Sequence, residues 1–146
     1  MMAFVAACLI ALPGTVTEGF APDGSYGGHW GVDVAVPAGS VVRAPLHGTI
    51  SFAGEVAGVR SVTIRSGIYR VSLSYLSIVD ARSGETVRRG DPVGRAGTPH
   101  GDHGLHIGLR VGNRYVDPLI HARCGATAGG TLRLLPPMLP ALASKD

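Results

Sequence analysis

The residues of this chain best suited to chemistry are two histidines and a carboxylate. His29-Trp30-Gly31-Val32-Asp33 sets an imidazole and a carboxylate four residues apart. In extended chain, positions i and i+4 face the same side, so both could meet on one ion. His106 stands on a later segment, opposite an apolar stripe of Leu105, Ile107, Leu109 and Val111. Two imidazoles and one carboxylate suit Zn²⁺. Three protein ligands leave a coordination position open for water or substrate, which is the arrangement of a catalytic zinc, not of a closed structural one. Spacing alone favours a plainer alternative: a turn aspartate, a half-buried histidine and an unrelated histidine. Cys8 and Cys124 match no metal-binding spacing, and could pair in an oxidising compartment only if their Cα atoms come close.

The elements that must position these residues read as β-strands. Val32, Val34 and Val36 share one face of a strand, with Asp33 and Ala35 on the other. Gly48 to Gly54 is a short strand bounded by glycines. Val62 and Ile64 alternate with Ser61, Thr63 and Arg65, and Tyr69, Val71, Leu73 and Tyr75 form a further apolar stripe. Turn signals separate these runs, among them Pro37-Ala38-Gly39, Ser66-Gly67 and Gly90-Asp91-Pro92. No stretch keeps a helical period over three turns. The pattern predicts an all-β fold, an antiparallel β-sandwich or partly closed barrel of short strands. Residues 125–130 read as a flexible connection, Leu132 to Leu135 as one last strand, and 137–146 as a flexible tail.

The chain has 146 residues, suited to one domain, here placed over residues 13–136. At 45% hydrophobic and 16% charged residues it is not a disordered chain. The net charge of +3 tolerates anionic partners, but no basic run is interleaved with aromatics, so nucleic acid is not an expected partner. Met1 to Leu12 is apolar and too short to span a bilayer. It reads as a first strand or as a truncated signal, and Val5-Ala6-Ala7-Cys8 also looks like a lipoprotein processing site. A biotinyl- or lipoyl-type carrier is set aside, because the one lysine, Lys145, lies in the terminal tail.

Several segments together resemble the LytM/lysostaphin-type zinc metallopeptidases, peptidase family M23. Gly28-His29-Trp30-Gly31-Val32-Asp33 with Pro37-Ala38-Gly39 is similar to the family's first signature. Val42-Arg43-Ala44-Pro45 and Gly48-Thr49-Ile50 are similar to the segment that follows it. Gly84 to Gly94, Leu105 to Arg110 and Tyr115 to Leu119 resemble its later sections, in order. The resemblance covers about residues 13 to 120 and implies one Zn²⁺ held by His29, Asp33 and His106. It also implies an exported protein of the cell envelope or medium, with peptidoglycan or a wall-hydrolase partner as its target.

The resemblance breaks at the two histidines that the family uses beside the metal. Tyr75, in Leu73-Ser74-Tyr75-Leu76-Ser77, and Gly104, in His103-Gly104-Leu105-His106, stand at those positions. A zinc peptidase needs a group to accept the proton of the attacking water and another to stabilise the oxyanion. Losing one proton-transfer group typically costs a factor of about 10² to 10⁴ in rate. The implied function is therefore a catalytically impaired module that binds peptidoglycan or regulates a hydrolase. The alternative is an active endopeptidase using substitutes. Tyr75 can donate to an oxyanion, although a phenol is a poor base near neutral pH and Tyr75 also fits an apolar stripe. Strand parity points His103 away unless a bulge at Gly104 turns it inward. His100 sits in a loop that could reach the metal. His47 and His121 read as surface residues.

Overall fold

The structure, a computed structural model, describes residues 9–98 and 104–122. The strands are β1 (Thr15–Glu18), β2 (Ala21–Asp23), β3 (Gly27–His29), β4 (Val32–Ala35), β5 (Val41–Arg43), β6 (Gly48–Val56), β7 (Val59–Ser66), β8 (Tyr69–Ser74), β9 (Leu76–Val79), β10 (Thr86–Val87), β11 (Pro92–Ala96), β12 (Leu105–Val111) and β13 (Arg114–Val116), followed by a short helix α1 (Pro118–Ala122). The fold is all-β and antiparallel, as the alternation predicts. An eight-stranded sheet runs β1-β4-β12-β8-β7-β6-β10, with β13 added to β12. Its ends, β1 and β10, do not pair with each other, so the barrel is not closed. A three-stranded sheet, β5-β11-β9, and a two-stranded one, β2-β3, complete the described chain.

The period-two pattern decides which face of the large sheet is buried. Val62 and Ile64 of β7, Val71 and Leu73 of β8, and Leu105, Ile107 and Leu109 of β12 are at most 1% exposed. They join Val42, Val93, Ala96 and Leu76 from the three-stranded sheet in one core. Fully burying each valine, leucine or isoleucine side chain stabilises the fold by about 1.5–3 kcal/mol. The opposite face of the large sheet carries Asp33, His106, Ser72, Ser74, Thr63, Arg65, Arg70 and Arg110. Ile10, from the apolar N-terminal stretch, is fully buried in the same core although Leu9 to Leu12 form no strand.

Three expectations change. His29 and Asp33 do not share one extended strand: β3 ends at His29, the chain bends at Trp30-Gly31, and Asp33 belongs to β4 in a different sheet. Tyr75 leaves the apolar stripe, because β8 stops at Ser74 and Tyr75 takes a left-handed backbone with φ 65°. His121 is half-buried, with its ring 5.9 Å from that of Tyr69, where a surface residue was expected; His47 is exposed as expected. Cys8, His100, His103, Cys124, the 125–130 connection, the strand expected at Leu132 to Leu135 and the tail lie outside the described residues.

Candidate metal centre

Antiparallel pairing of β4 with β12 sets Asp33 directly opposite His106 on the outer face of the large sheet. Asp33 is 6% exposed, and is the one buried charged or polar side chain among the described residues. A carboxylate is costly to bury unless it has partners. Its Oδ1 lies 2.7 Å from His106 Nδ1 and 3.2 Å from His29 Nε2, and the two ring nitrogens are 3.1 Å apart. His29 reaches this point from the β2-β3 hairpin, and the bend after it brings the chain back into β4.

The second nitrogen of His29 fixes how the first is used. Nδ1 lies 2.7 Å from the Gly19 carbonyl oxygen. A carbonyl only accepts, so Nδ1 carries the hydrogen and donates it. In the neutral ring Nε2 then turns a lone pair toward Asp33 and His106. An outer partner that sets the tautomer in this way is the usual support of a metal-binding histidine. Ligands at the ~2.0–2.1 Å bond lengths of tetrahedral zinc lie roughly 3.3 Å from one another. The observed separations of 2.7, 3.1 and 3.2 Å come close to that. Two imidazoles and a carboxylate that converge so tightly form a donor set that fits Zn²⁺. His106 is the most open of the three side chains, 19% exposed against 11% for His29 and 9% for Asp33, so a substrate would approach from its side.

Gly31 makes room for this geometry. A Cβ there would stand 2.4 Å from the Ile107 carbonyl oxygen and 2.7 Å from His106 Nε2. Both distances are far inside van der Waals contact, so only glycine lets the chain bend against β12 while the His106 ring stays in place.

Of the two catalytic candidates, Tyr75 comes to the site. Its ring centroid is 6.4 Å from that of His106, at 74° to it. Left-handed backbone is uncommon for a bulky residue and costs about 1–3 kcal/mol. Gly97 accommodates it, since a Cβ at Gly97 would lie 2.3 Å from the Tyr75 carbonyl oxygen. The amide of Gly104 donates to the Gly97 carbonyl at 3.2 Å. The two positions where the resemblance expects histidines thus both adjoin Gly97, the residue after β11. His103, and with it the bulge that would turn it inward, lies outside the described residues. The Gly19 carbonyl and the clearance at Gly31 are site features that the sequence reading missed. For Gly31 the available signal was a glycine between the histidine and the aspartate; for Gly19 there was none, because the contact depends on a hairpin with no apolar alternation.

The model of peptidase family M23 matches residues 27–118, which includes all three ligand candidates. A protein of Haemophilus influenzae described as an uncharacterized metalloprotease is 34% identical over 109 residues, covering 70% of this chain and 23% of that protein. The chain therefore spans less than a quarter of that relative's length. Among solved structures, Csd3 of Helicobacter pylori superposes with a TM-score of 0.70 at 27% identity, covering 86% of this chain and 35% of that one. A zinc-containing peptidase from Vibrio cholerae gives 0.65 at 25% identity, over 77% and 38%. Lysostaphin from Staphylococcus simulans shares the fold, at 0.73 and 22% identity over 91% and 62%. With the matched segment spanning most of the described strands and the whole of the His29, Asp33 and His106 cluster, the chain belongs to peptidase family M23.

Proposed function

We propose that this chain is a zinc-binding, catalytically impaired peptidase-like domain that acts outside the cytoplasm at the bacterial wall, by binding peptidoglycan or a wall-hydrolase partner. One observation carries the reading: the ligand side of the site is built in full, while Tyr75 and Gly104 replace the imidazoles that would move protons beside it. His29, Asp33 and His106 would hold the ion, and Zn²⁺ bound there supplies Lewis acidity toward water and a peptide carbonyl. The protein's own groups must do the rest. Tyr75 can donate a hydrogen bond toward an oxyanion near His106, but a phenol does not readily accept the proton of an attacking water. Among the described residues no helix is long and apolar enough to cross a membrane.

A second reading, a slow metalloendopeptidase of peptidoglycan peptides, is favoured by the strained backbone that holds Tyr75 beside His106. Strain of this kind gathers at functional sites. One experiment separates the two. The purified chain is loaded with one equivalent of zinc, incubated with peptidoglycan sacculi and centrifuged; the soluble products are analysed by mass spectrometry, with His29→Ala as control. The impaired-module reading expects the protein in the pellet and no new peptide termini. Termini that appear only with intact His29 would replace it with the endopeptidase. Loss of both sacculus binding and zinc uptake would sink both.

A further inference from the structure

The outer face of the large sheet does not end at the metal cluster. Antiparallel register places Arg110 of β12 opposite Arg70 of β8, and Arg70 opposite Arg65 of β7. Three guanidinium-bearing residues thus lie in one row across three neighbouring strands. Like charges directly opposite each other in a sheet are destabilising. None of the described carboxylates forms an ion pair with any of the three; the arginine pair seen, Arg60 with Glu55, lies elsewhere on the sheet. The Nε of Arg110 is buried without a hydrogen-bond partner, although its guanidinium is braced 4.6 Å from the Tyr115 ring centroid. The row borders a hollow of about 310 Å³ whose other walls are Ser51, Phe52, Thr63 and Ser72.

The hollow and the metal cluster share this face. Successive cross-strand rows lead from Asp33, His106, Ser74 and Ser61 through Gly108, Ser72 and Thr63 to the arginines. Ser61 bonds Ser74 and Thr63 bonds Ser72, each at 2.9 Å, so the floor between is polar and hydrogen-bonded within itself. His106 and Arg110 are four residues apart on β12, roughly 13 Å at the rise of a strand. A peptide lying extended along β12 would cover the same distance in about four residues.

We propose that Arg65, Arg70 and Arg110 form an anion subsite for a carboxylate or phosphate on an extended polymer laid across the face, about four residues of peptide from the metal cluster. Arginine forks match both anions, and charge-assisted bonds of this kind are about twice as strong as neutral ones. An anion there offsets the repulsion within the row, and the hollow that the three arginines line is where it would sit. The proposal rests on reading this face as the one that binds wall polymer, and it specifies what that polymer must carry.

The test uses the whole chain, ¹⁵N-labelled and without added zinc. Arginine Nε–Hε and backbone signals are followed while three probes are titrated: inorganic phosphate, a tetrapeptide with a free terminal carboxylate, and the same peptide as its amide. The free-carboxylate peptide should move the Arg65, Arg70 and Arg110 signals and bind about tenfold more tightly than the amide. Arg70→Gln should abolish that preference with its backbone spectrum otherwise intact, and Arg65→Gln should weaken it. Shifts with phosphate but not with the carboxylate peptide would support the subsite and assign it to a phosphate-bearing polymer. Equal binding of acid and amide with no response to phosphate, or a preference that survives in both variants, would overturn it. No readout needs metal or turnover, so failure here is distinguishable from failure of zinc uptake or sacculus binding.

Discussion

The two flanks of the site are built to different standards. On the ligand flank, β4 and β12 hold Asp33 against His106, the Gly19 carbonyl sets the His29 ring, and Gly31 clears space for both. On the opposite flank, a strand ends early, a tyrosine adopts left-handed backbone, and two glycines close the gap. The first flank needs only to gather electron pairs. The second would have to shuttle protons, and Tyr75 and Gly104 stand at the two positions where the resemblance expects imidazoles for that task. The three candidate metal ligands and the two altered positions thus rest on separate sets of residues.

The largest effect should come from rebuilding the second flank. Tyr75→His combined with Gly104→His restores an imidazole at both positions, and histidine tolerates left-handed backbone better than most residues. Peptide release from zinc-loaded protein on sacculi should rise by about 10² to 10⁴ over the parent chain. Zinc affinity, measured by chelator competition, should stay the same. An unchanged rate in a folded, zinc-loaded double variant would mean that the flanks differ by more than these two side chains.

A smaller effect should follow from damaging the first flank at Gly31. Gly31→Ala forces a methyl group against the Ile107 carbonyl and the His106 ring, so β4 or β12 must shift. Urea unfolding should show a loss of about 1–3 kcal/mol, as for an overpacked interior. Zinc affinity should fall as well, because the displaced atom belongs to a ligand. A variant with full stability and full affinity would contradict the clearance described here.

How much of this was legible follows the same division. In β4, β7, β8 and β12 the half-buried alternation shows in the sequence, and the residues it puts on the inner face, from Val32 to Leu109, are buried there. The β2-β3 hairpin and the β5-β11-β9 sheet show no such alternation: β2, β3 and β11 contain glycine or proline, and β5, β11 and β9 are brought together only by pairing across the chain. The ligand trio was named from joint motifs, and its convergence depended on a bend that simple extended geometry did not anticipate. Tyr75 shows the limit of alternation most directly. Its place in the stripe was sound for a strand that continued, and the strand stops one residue before it.

The smallest expected effect lies at Tyr75 alone. Tyr75→Gly removes the left-handed penalty of about 1 kcal/mol or more and also the ring packed near His106. The two should nearly cancel, leaving the thermal midpoint within a few degrees of the parent. Zinc affinity should again be unchanged. A large destabilisation would instead make the tyrosine a structural member of the site, and would tie the second flank to the first.

The chain contains one tryptophan, and it stands between His29 and Gly31. Its indole N–H donates to the Gly27 carbonyl at 2.7 Å, and its ring meets Phe20 and Tyr115 edge-on. Tyr115 in turn lies under the guanidinium of Arg110. The protein therefore carries an optical reporter built into this face: tryptophan emission originates from a single indole next to a residue of the candidate metal centre and one ring away from the arginine row. A metal or anion taken up at either end would be reported by the unmodified molecule, with no dye attached.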